Sequence, residues 1–226
     1  MGVATMETLR DRNVGEIAVN LAGATGVFRR FGIDFCCHGN VALEQAAKMA
    51  GVDLAVLEEA LAALDMSRPV EPAEDTGAIV DHIVSRYHDV HRRQLPELIM
   101  LARKVEQVHA GKKGVPAGLA DLMQQALGEL EVHMRKEELI LFPAMRRQGA
   151  GALDGPIAQM RHEHVDHGDF IEEVTRLTSN FTAPEGACGT WRALYAGAAQ
   201  FKDDLIEHIH TENNILFPRF EAVPAN

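Results

Sequence analysis

Apolar residues recur every three or four positions in four long stretches of the last two-thirds of the chain. This is the period of an amphipathic α-helix. Turns rich in glycine or proline separate the stretches, and the predicted helices cover 77–109, 116–147, 156–179 and 187–216. Four helices with short connections predict an up-down-up-down four-helix bundle. Pro96 should kink the first helix or break it near Leu95.

The first 66 residues carry shorter patterns and predict a small helical domain. Short segments at 14–20 and 26–31 precede a turn, a helix at 41–50 and a further helix that Asp53 caps. Residues 67–76 contain two prolines and three acids without apolar periodicity, which is typical of a linker. The sequence therefore predicts an all-α protein with a domain at 1–66, a linker at 67–76 and the bundle at 77–226.

Composition narrows the classes of function. The chain has 226 residues, 46% of them hydrophobic, and a net charge of −11 without a Lys/Arg cluster, which disfavours nucleic-acid binding. No apolar run approaches a membrane span, and the N-terminus lacks a signal-peptide core, so we expect a cytoplasmic protein. Three cysteines, two of them adjacent, argue against a disulfide framework and predict reduced thiols. Cys188 is interpreted as structural.

Two segments of the bundle share the same spaced residues. His133 and Glu137 are followed by Ile-Leu-Phe-Pro, and so are His208 and Glu212. A spacing of four residues places each His and Glu on one helix face, a turn apart. His88 precedes His133 by 45 residues and His164 precedes His208 by 44. The bundle is thus predicted to be a duplicated helical hairpin around a pseudo-two-fold axis, which suits a symmetric two-metal centre.

These six polar residues occupy helix stripes that are otherwise apolar. Two buried carboxylates without cations would cost several kcal/mol. For a single position a hydrogen-bonded core histidine is the simpler interpretation, but six positions aligned by a repeat favour metal binding. Four imidazoles and two carboxylates without a thiolate disfavour structural zinc and suit non-haem iron or manganese. The predicted metal ligands are His88, His133, Glu137, His164, His208 and Glu212.

Two histidines per metal with both glutamates bridging would leave positions open for a diatomic ligand or water. Glu129, Glu163 and Asp204 are candidates to orient an imidazole or carry a proton, with solvated surface acids as the alternative interpretation. His109 is left outside any site. The other histidines are interpreted as mostly surface or rim, with His91 and His167 as alternative ligands: these are His82, His91, His162, His167 and His210.

The six predicted ligands in a four-helix bundle resemble the hemerythrin-like di-iron domain. Hemerythrin has one more histidine, so this site should be more open. The stretches 86–99, 137–143 and 212–218, together with Phe-Gly-Ile-Asp-Phe-Cys-Cys-His-Gly at 31–39, resemble the iron–sulfur cluster repair di-iron proteins over essentially the whole chain. His38 departs from that family, in which glycine is more frequent, and could add a nitrogen donor beside the thiols.

This resemblance implies repair of iron–sulfur clusters damaged by nitric oxide or oxidative stress, with two carboxylate-bridged iron ions as cofactors and source of donated iron. The implied partners are proteins with damaged clusters and nitric oxide or another diatomic ligand. Cys36 and Cys37 would exchange iron, a nitrosyl group or disulfides. Two alternatives stay open: a gas binder or sensor, and an enzyme that reduces nitric oxide or peroxide. Docking of the first domain on the bundle and homodimer formation also stay open.

Overall fold

The computed structural model describes residues 9–64, 75–147 and 153–221, which form two compact units. One unit contains 9–64 and 209–219, and the other contains 75–147, 153–208 and 220–221. The described residues form helices and one isolated β-bridge, between Asn13 and Ala42. The predicted all-α class is therefore confirmed. The predicted linker lies outside the described residues except for Asp75 and Thr76, and the domain boundaries stay a prediction.

The first unit contains four short helices: α1 (Val14–Asn20), α2 (Ala24–Phe31), α3 (Leu43–Ala50) and α4 (Leu54–Ala62). Gly32 and Gly51 end α2 and α3 with φ of 67°, a left-handed conformation that glycine adopts without steric cost. The Asp53 side chain accepts a hydrogen bond from the Ala55 N–H, as predicted for a helix cap. Large apolar side chains fill the core: Ile17, Phe28, Phe35, Leu43, Leu57 and Leu61.

The second unit is the predicted bundle. Asp75 caps α5 (Thr76–His82), which leads into α6 (Asp89–Val108). The second rod consists of α7 (Leu119–Lys136) and α8 (Phe142–Arg147), the third is α9 (Asp154–Leu177), and the fourth is α10 (Gly189–His210). Helix α7 packs along both α6 and α9. Each rod begins and ends within about three residues of the prediction, because the apolar period that defines the helix also defines its buried face.

Wide π-helical turns interrupt three of the four rods. They cover Ile83–His88 between α5 and α6, Glu137–Leu141 between α7 and α8, and Thr211–Leu216 after α10. Each turn contains one predicted metal ligand: His88, Glu137 or Glu212. Single π-turns inside α-helices occur frequently at functional sites because the extra residue redirects a side chain. The apolar pattern predicted ordinary α-helix at all three positions and did not indicate these turns.

Pro96 does not break its helix. Helix α6 continues through the proline to Val108, so the predicted break near Leu95 is wrong. The proline removes one backbone hydrogen bond, but Leu95, Leu98 and Ile99 beside it are all buried. Packing of this apolar face outweighs the local preference.

Candidate metal centre and cysteine loop

All six predicted metal ligands have side chains that are at most 1% exposed. Glu212 follows His208 by one turn in the same continuous helical rod. The ligand atoms form two groups, and within each group all atoms lie within 4.8 Å of one another. One group is His88, Glu137, His208 and Glu212, and the other is His133, Glu137, His164 and Glu212. Both glutamates thus belong to both groups.

The Glu137 carboxylate lies between two pairs of imidazoles. Its Oε2 is 3.4 Å from His88 Nε2, and its Oε1 is 3.4 Å from His133 Nε2. The paired Nε2 atoms are equally close: 3.1 Å separate His88 and His208, and 3.2 Å separate His133 and His164. Donor atoms about 3 Å apart are expected when ligands about 2.1 Å from one ion meet near a right angle. The donor set therefore fits two cations bridged by a carboxylate.

The outward nitrogen of His88 contacts a carboxylate. Its Nδ1 lies 2.7 Å from Glu138 Oε1, and Arg92 donates to both oxygens of Glu138 at 2.8 and 3.2 Å. Burial alone would raise the pKa of Glu138, but the hydrogen bonds with Arg92 and His88 outweigh it and lower the pKa. An ionised carboxylate at Nδ1 fixes the tautomer that presents an Nε2 lone pair to a metal. Sequence reasoning missed Glu138, although it directly follows a predicted ligand.

The Nδ1 atom of His133 also contacts a carboxylate. Its Nδ1 lies 2.9 Å from Glu163 Oε2, and Lys136 and Gln159 donate to Glu163 Oε1 at 2.6 and 2.9 Å. The hydrogen bond with His133, followed by that with Lys136, lowers the pKa of Glu163 despite partial burial. Glu163 thus contacts an imidazole, as the sequence suggested. The imidazole belongs to His133 on the facing helix, although His164 is its neighbour in sequence.

The other two acidic candidates have different contacts. The Glu129 carboxylate accepts a hydrogen bond from Gln125 at 2.8 Å, and the Asp204 carboxylate accepts from Arg86 at 2.6 Å and from Gln200 at 3.0 Å. Glu129 lines a cavity of about 480 Å³ in the second unit. Glu163 and His167 line the same cavity, which therefore extends toward the His133 side of the site. Among the described residues, neither acid has the imidazole contact suggested by its position one turn before a predicted ligand.

Three histidines interpreted as surface or rim residues are buried. His91, His167 and His210 are 1%, 5% and 4% exposed, so that interpretation is wrong for them. The ring centroid of His91 lies 5.3 Å from that of His208, and the His167 centroid lies 4.8 Å from that of His133. Burial, followed by the neighbouring imidazoles, lowers the pKa of His167 to about 2, which keeps that ring neutral. Both rings extend the apolar and aromatic surroundings of the centre.

The adjacent cysteines lie in the loop between α2 and α3 of the first unit. Asp34 Oδ1 accepts hydrogen bonds from the backbone N–H groups of Cys36 and Cys37 at 3.2 and 2.9 Å. The Cys36 Sγ lies 3.4 Å from the same oxygen and 3.5 Å from the Cys37 Sγ. His38 Nδ1 lies 2.6 Å from Asp34 Oδ2. Asp34, Cys36 and Cys37 together form a third group whose atoms could hold a cation.

The two thiols differ in environment. Cys36 is 6% exposed, whereas Cys37 is partly exposed. The hydrogen bond with Cys37, followed by burial and the negative charge of Asp34, raises the pKa of the Cys36 thiol well above its usual range. Cys36 is therefore protonated near neutral pH unless a cation or a reaction partner displaces the proton.

The cysteine loop is fixed to residues 209–219 of the same unit. Asn213 Nδ2 donates to the Cys36 carbonyl at 2.8 Å, and Asn214 Nδ2 donates to the Phe35 carbonyl at 3.0 Å. Gly39 gives Asn214 room: an added Cβ there would lie 2.7 Å from Asn214 Oδ1. The asparagines directly follow the predicted ligand Glu212 in the sequence.

Known protein families match both parts of the chain. Residues 80–220 match the model of the hemerythrin HHE cation binding domain, and residues 10–65 match a domain of unknown function, DUF542. The bundle is thus a hemerythrin-type cation-binding domain. Within the described part of the chain, no helix has the length and apolar character needed to cross a membrane.

Relatives extend over nearly the full chain. The iron–sulfur cluster repair protein YtfE of Edwardsiella ictaluri is 50% identical over 217 residues, which are 94% of this chain and 97% of the relative. The proteins of the same name from Musicola paradisiaca and Salmonella newport are 48% and 46% identical, each over 93% of this chain and 96% of the relative. The chain belongs to the YtfE family of iron–sulfur cluster repair proteins.

Proposed function

We propose that this protein repairs iron–sulfur clusters damaged by nitric oxide or oxidative stress by donating iron to them. The observation that carries the proposal is the position of Glu137, whose two oxygens lie 3.4 Å from His88 Nε2 and from His133 Nε2, one imidazole of each pair. Such a carboxylate suits two adjacent cations. The similarity to iron–sulfur cluster repair proteins supports repair as the biological role.

Two iron ions are the cofactors that the donor set favours, because imidazoles and carboxylates without thiolates suit non-haem iron. His88 and His208 would hold one ion, His133 and His164 the other, and Glu137 and Glu212 would bridge them. When bound, the pair supplies exchangeable iron and open coordination positions. Six protein ligands without a thiolate would hold iron less tightly than a thiolate cage, which favours donation of an iron ion.

The surrounding residues keep the ligands in their metal-binding form. Glu138 and Glu163 accept the Nδ1 protons of His88 and His133, so the Nε2 lone pairs face the centre. Arg92 and Lys136 keep these two carboxylates ionised, since each donates a charge-assisted hydrogen bond to one of them. Removal of such contacts typically weakens metal affinity about 10–100-fold.

Cys36 and Cys37 are the groups through which iron, a nitrosyl group or a disulfide would pass between the protein and its client. Asp34 lies within 3.4 Å of the Cys36 Sγ and contributes a carboxylate to the same group. A thiol whose proton is retained by its surroundings binds a cation only when that proton leaves, so its hold on iron is conditional. A cytoplasmic location, where thiols stay reduced, suits this role.

A double substitution of the cysteine pair tests the proposal. The protein carrying Cys36→Ser and Cys37→Ser should keep the iron content of the bundle but lose most of its ability to restore an aconitase inactivated by nitric oxide. Cys188→Ser is the matched control and should repair normally. Full repair by the double variant would contradict the role of the pair, and loss of its iron would contradict the separation of the two sites.

A second function is favoured by the cavity of about 480 Å³ that Glu163 and His167 line. It could admit a small molecule to the His133 side of the centre, which suits binding or reduction of nitric oxide. In that case the protein with both cysteines replaced would still bind the gas, and its iron would stay in place during turnover. Iron transferred to a client distinguishes repair from this alternative.

A further inference from the structure

A second nucleophilic cluster lies in the bundle, formed by Cys188 and His109. These residues are 79 positions apart, yet His109 Nε2 lies 3.2 Å from the Cys188 Sγ. His109 directly follows α6 and is 6% exposed, while Cys188 directly precedes α10 and is partly exposed. A buried imidazole thus faces a sulfur that solvent can reach. The interpretation of Cys188 as structural, with His109 outside any site, overlooked this pair because no local spacing connects them.

Cys188 occupies the capping position of a long helix. Its carbonyl accepts the first helical hydrogen bond, from the Arg192 N–H at 3.1 Å, and α10 then extends for 22 residues. At this position a side-chain acceptor receives hydrogen bonds from the second and third helical N–H groups. Hydrogen bonding from the Trp191 N–H, followed by the N–H and hydroxyl of Thr190, lowers the pKa of the Cys188 thiol. The positive end of the helix dipole also stabilises the Cys188 thiolate.

The hydrogen bonding of His109 also favours the thiolate form of Cys188. Within the described residues, its Nδ1 is buried without a hydrogen-bond partner. A proton on Nδ1 would leave a buried N–H without an acceptor, which proteins rarely tolerate. The proton therefore belongs on Nε2, where it points at the sulfur. A donated N–H stabilises a thiolate more than a neutral thiol, because hydrogen bonds to ionised acceptors are the stronger ones.

We propose that Cys188 is a reactive thiolate and a site of reversible modification by low-molecular-weight disulfides. The Cys188 thiolate attacks one sulfur of the disulfide, a new S–S bond forms, the original S–S bond breaks, and the second half leaves as a thiolate. A second thiol of the same class reverses the reaction. The site is separate from the chemistry proposed for Cys36 and Cys37, and the thiol–disulfide pool of the cell would modify it without involving the metal centre.

Cys36 provides an internal contrast. Its thiol contacts Asp34 and Cys37, groups that disfavour the anion. The Cys188 sulfur instead lies 3.2 Å from His109 Nε2 and accepts hydrogen bonds from Trp191 and Thr190. Reactivity toward a disulfide follows the thiolate fraction and access of solvent to the sulfur. The two cysteines should therefore react at different rates in one sample.

The test exposes the metal-loaded full-length protein to glutathione disulfide at pH 7 and measures mixed disulfide at each cysteine by peptide mass spectrometry. Cys188 should react roughly 5-fold faster in the folded protein than in the same protein unfolded in urea, because an unperturbed thiol is only a few per cent thiolate at this pH. Cys36 should instead react more slowly in the folded protein than in the unfolded protein. An equal or slower rate for Cys188 in the folded protein would overturn the proposal.

Variants connect the rate to the geometry. His109→Phe keeps a ring against Trp191, whose centroid lies 5.0 Å away, but removes the donor and should slow the reaction of Cys188 by about 3-fold or more. Thr190→Val removes the hydroxyl with little change in shape and serves if His109→Phe does not fold. His162→Phe, at an exposed position on α9, is the matched control and should react like the unmodified sequence. Unchanged rates in the folded His109 or Thr190 variant would overturn the proposal.

Trp191 offers a second readout, because it is the only tryptophan of the chain and its ring centroid lies 5.0 Å from that of His109. Modification of Cys188 should change its fluorescence, and the Cys188→Ser variant should show no change. Iron content and cluster repair should remain unaffected in Cys188→Ser, so failure of this proposal is distinguishable from failure of the repair function.

Discussion

The histidine centre and the cysteine loop differ in how many elements supply their donor groups and in how deeply those groups are buried. The centre takes six donors from four helical rods, and every one of them is at most 1% exposed. The cysteine cluster takes its donors from a single loop, and one of its thiols is partly exposed. The centre is set by packing before a cation arrives, whereas the Cys36 proton must leave first. For the proposed function, tertiary preorganisation suits a site that holds the iron before it is donated, and a protonated local cluster suits transient exchange.

The largest expected effect concerns Glu137, because it serves both halves of the centre. Glu137→Gln removes the negative charge shared by the two imidazole pairs and should lower iron content from about two ions per chain to less than one. Metal analysis after purification measures this. Glu129→Gln, a matched change on the same rod, should retain its iron, and equal loss in both variants would contradict a special role for Glu137.

The same substitution should have the opposite effect on the metal-free protein. Burial of the Glu137 charge costs free energy, and in the metal-free protein we expect this cost to exceed the contribution of its 3.4 Å contacts with His88 and His133. Glu137→Gln should therefore raise the free energy of unfolding of the metal-free protein by about 1–3 kcal/mol. Urea denaturation of chelator-treated samples checks this. A metal-free variant that is less stable than the metal-free parent would show that the charge of Glu137 is balanced by the protein itself.

A smaller effect is expected at the carboxylates that hold the imidazoles. Glu138→Gln removes the ionised acceptor at His88 Nδ1 and should weaken iron affinity about 10–100-fold, measured by competition with a chelator. Glu172→Gln, at an exposed position on α9, is the control and should leave the affinity unchanged. Unchanged affinity in Glu138→Gln would mean that the centre needs no orientation of His88 through Nδ1.

The smallest effect concerns the loop. Asn213→Ala removes the hydrogen bond to the Cys36 carbonyl and should lower the free energy of unfolding by about 1–2 kcal/mol, while alkylation of Cys36 becomes faster. Asn20→Ala removes a similar side-chain bond at an exposed site in the same unit and should cost less. If the two variants lose equal stability and Cys36 alkylation is unchanged, Asn213 does not position the loop.

The spacing of apolar residues in the sequence was enough to predict the helices and their buried faces. The four rods and the six buried polar positions could be identified because an apolar stripe marks burial and the repeat aligns His133 with His208. The π-turns could not be identified from the sequence, because one extra residue in a turn leaves the spacing of apolar side chains almost unchanged. Contacts between distant segments were also invisible: Glu163 lies beside His164 in sequence but contacts His133, and Cys188 meets His109 across 79 positions.

The most direct test of the proposed function is the metal content of the purified protein, combined with an optical spectrum before and after addition of nitric oxide. The arrangement of His88, His133, His164 and His208 around Glu137 and Glu212 predicts about two iron ions per chain and a spectrum that nitric oxide changes. One zinc ion per chain, with no response to nitric oxide, would contradict the di-iron centre and leave a structural bundle.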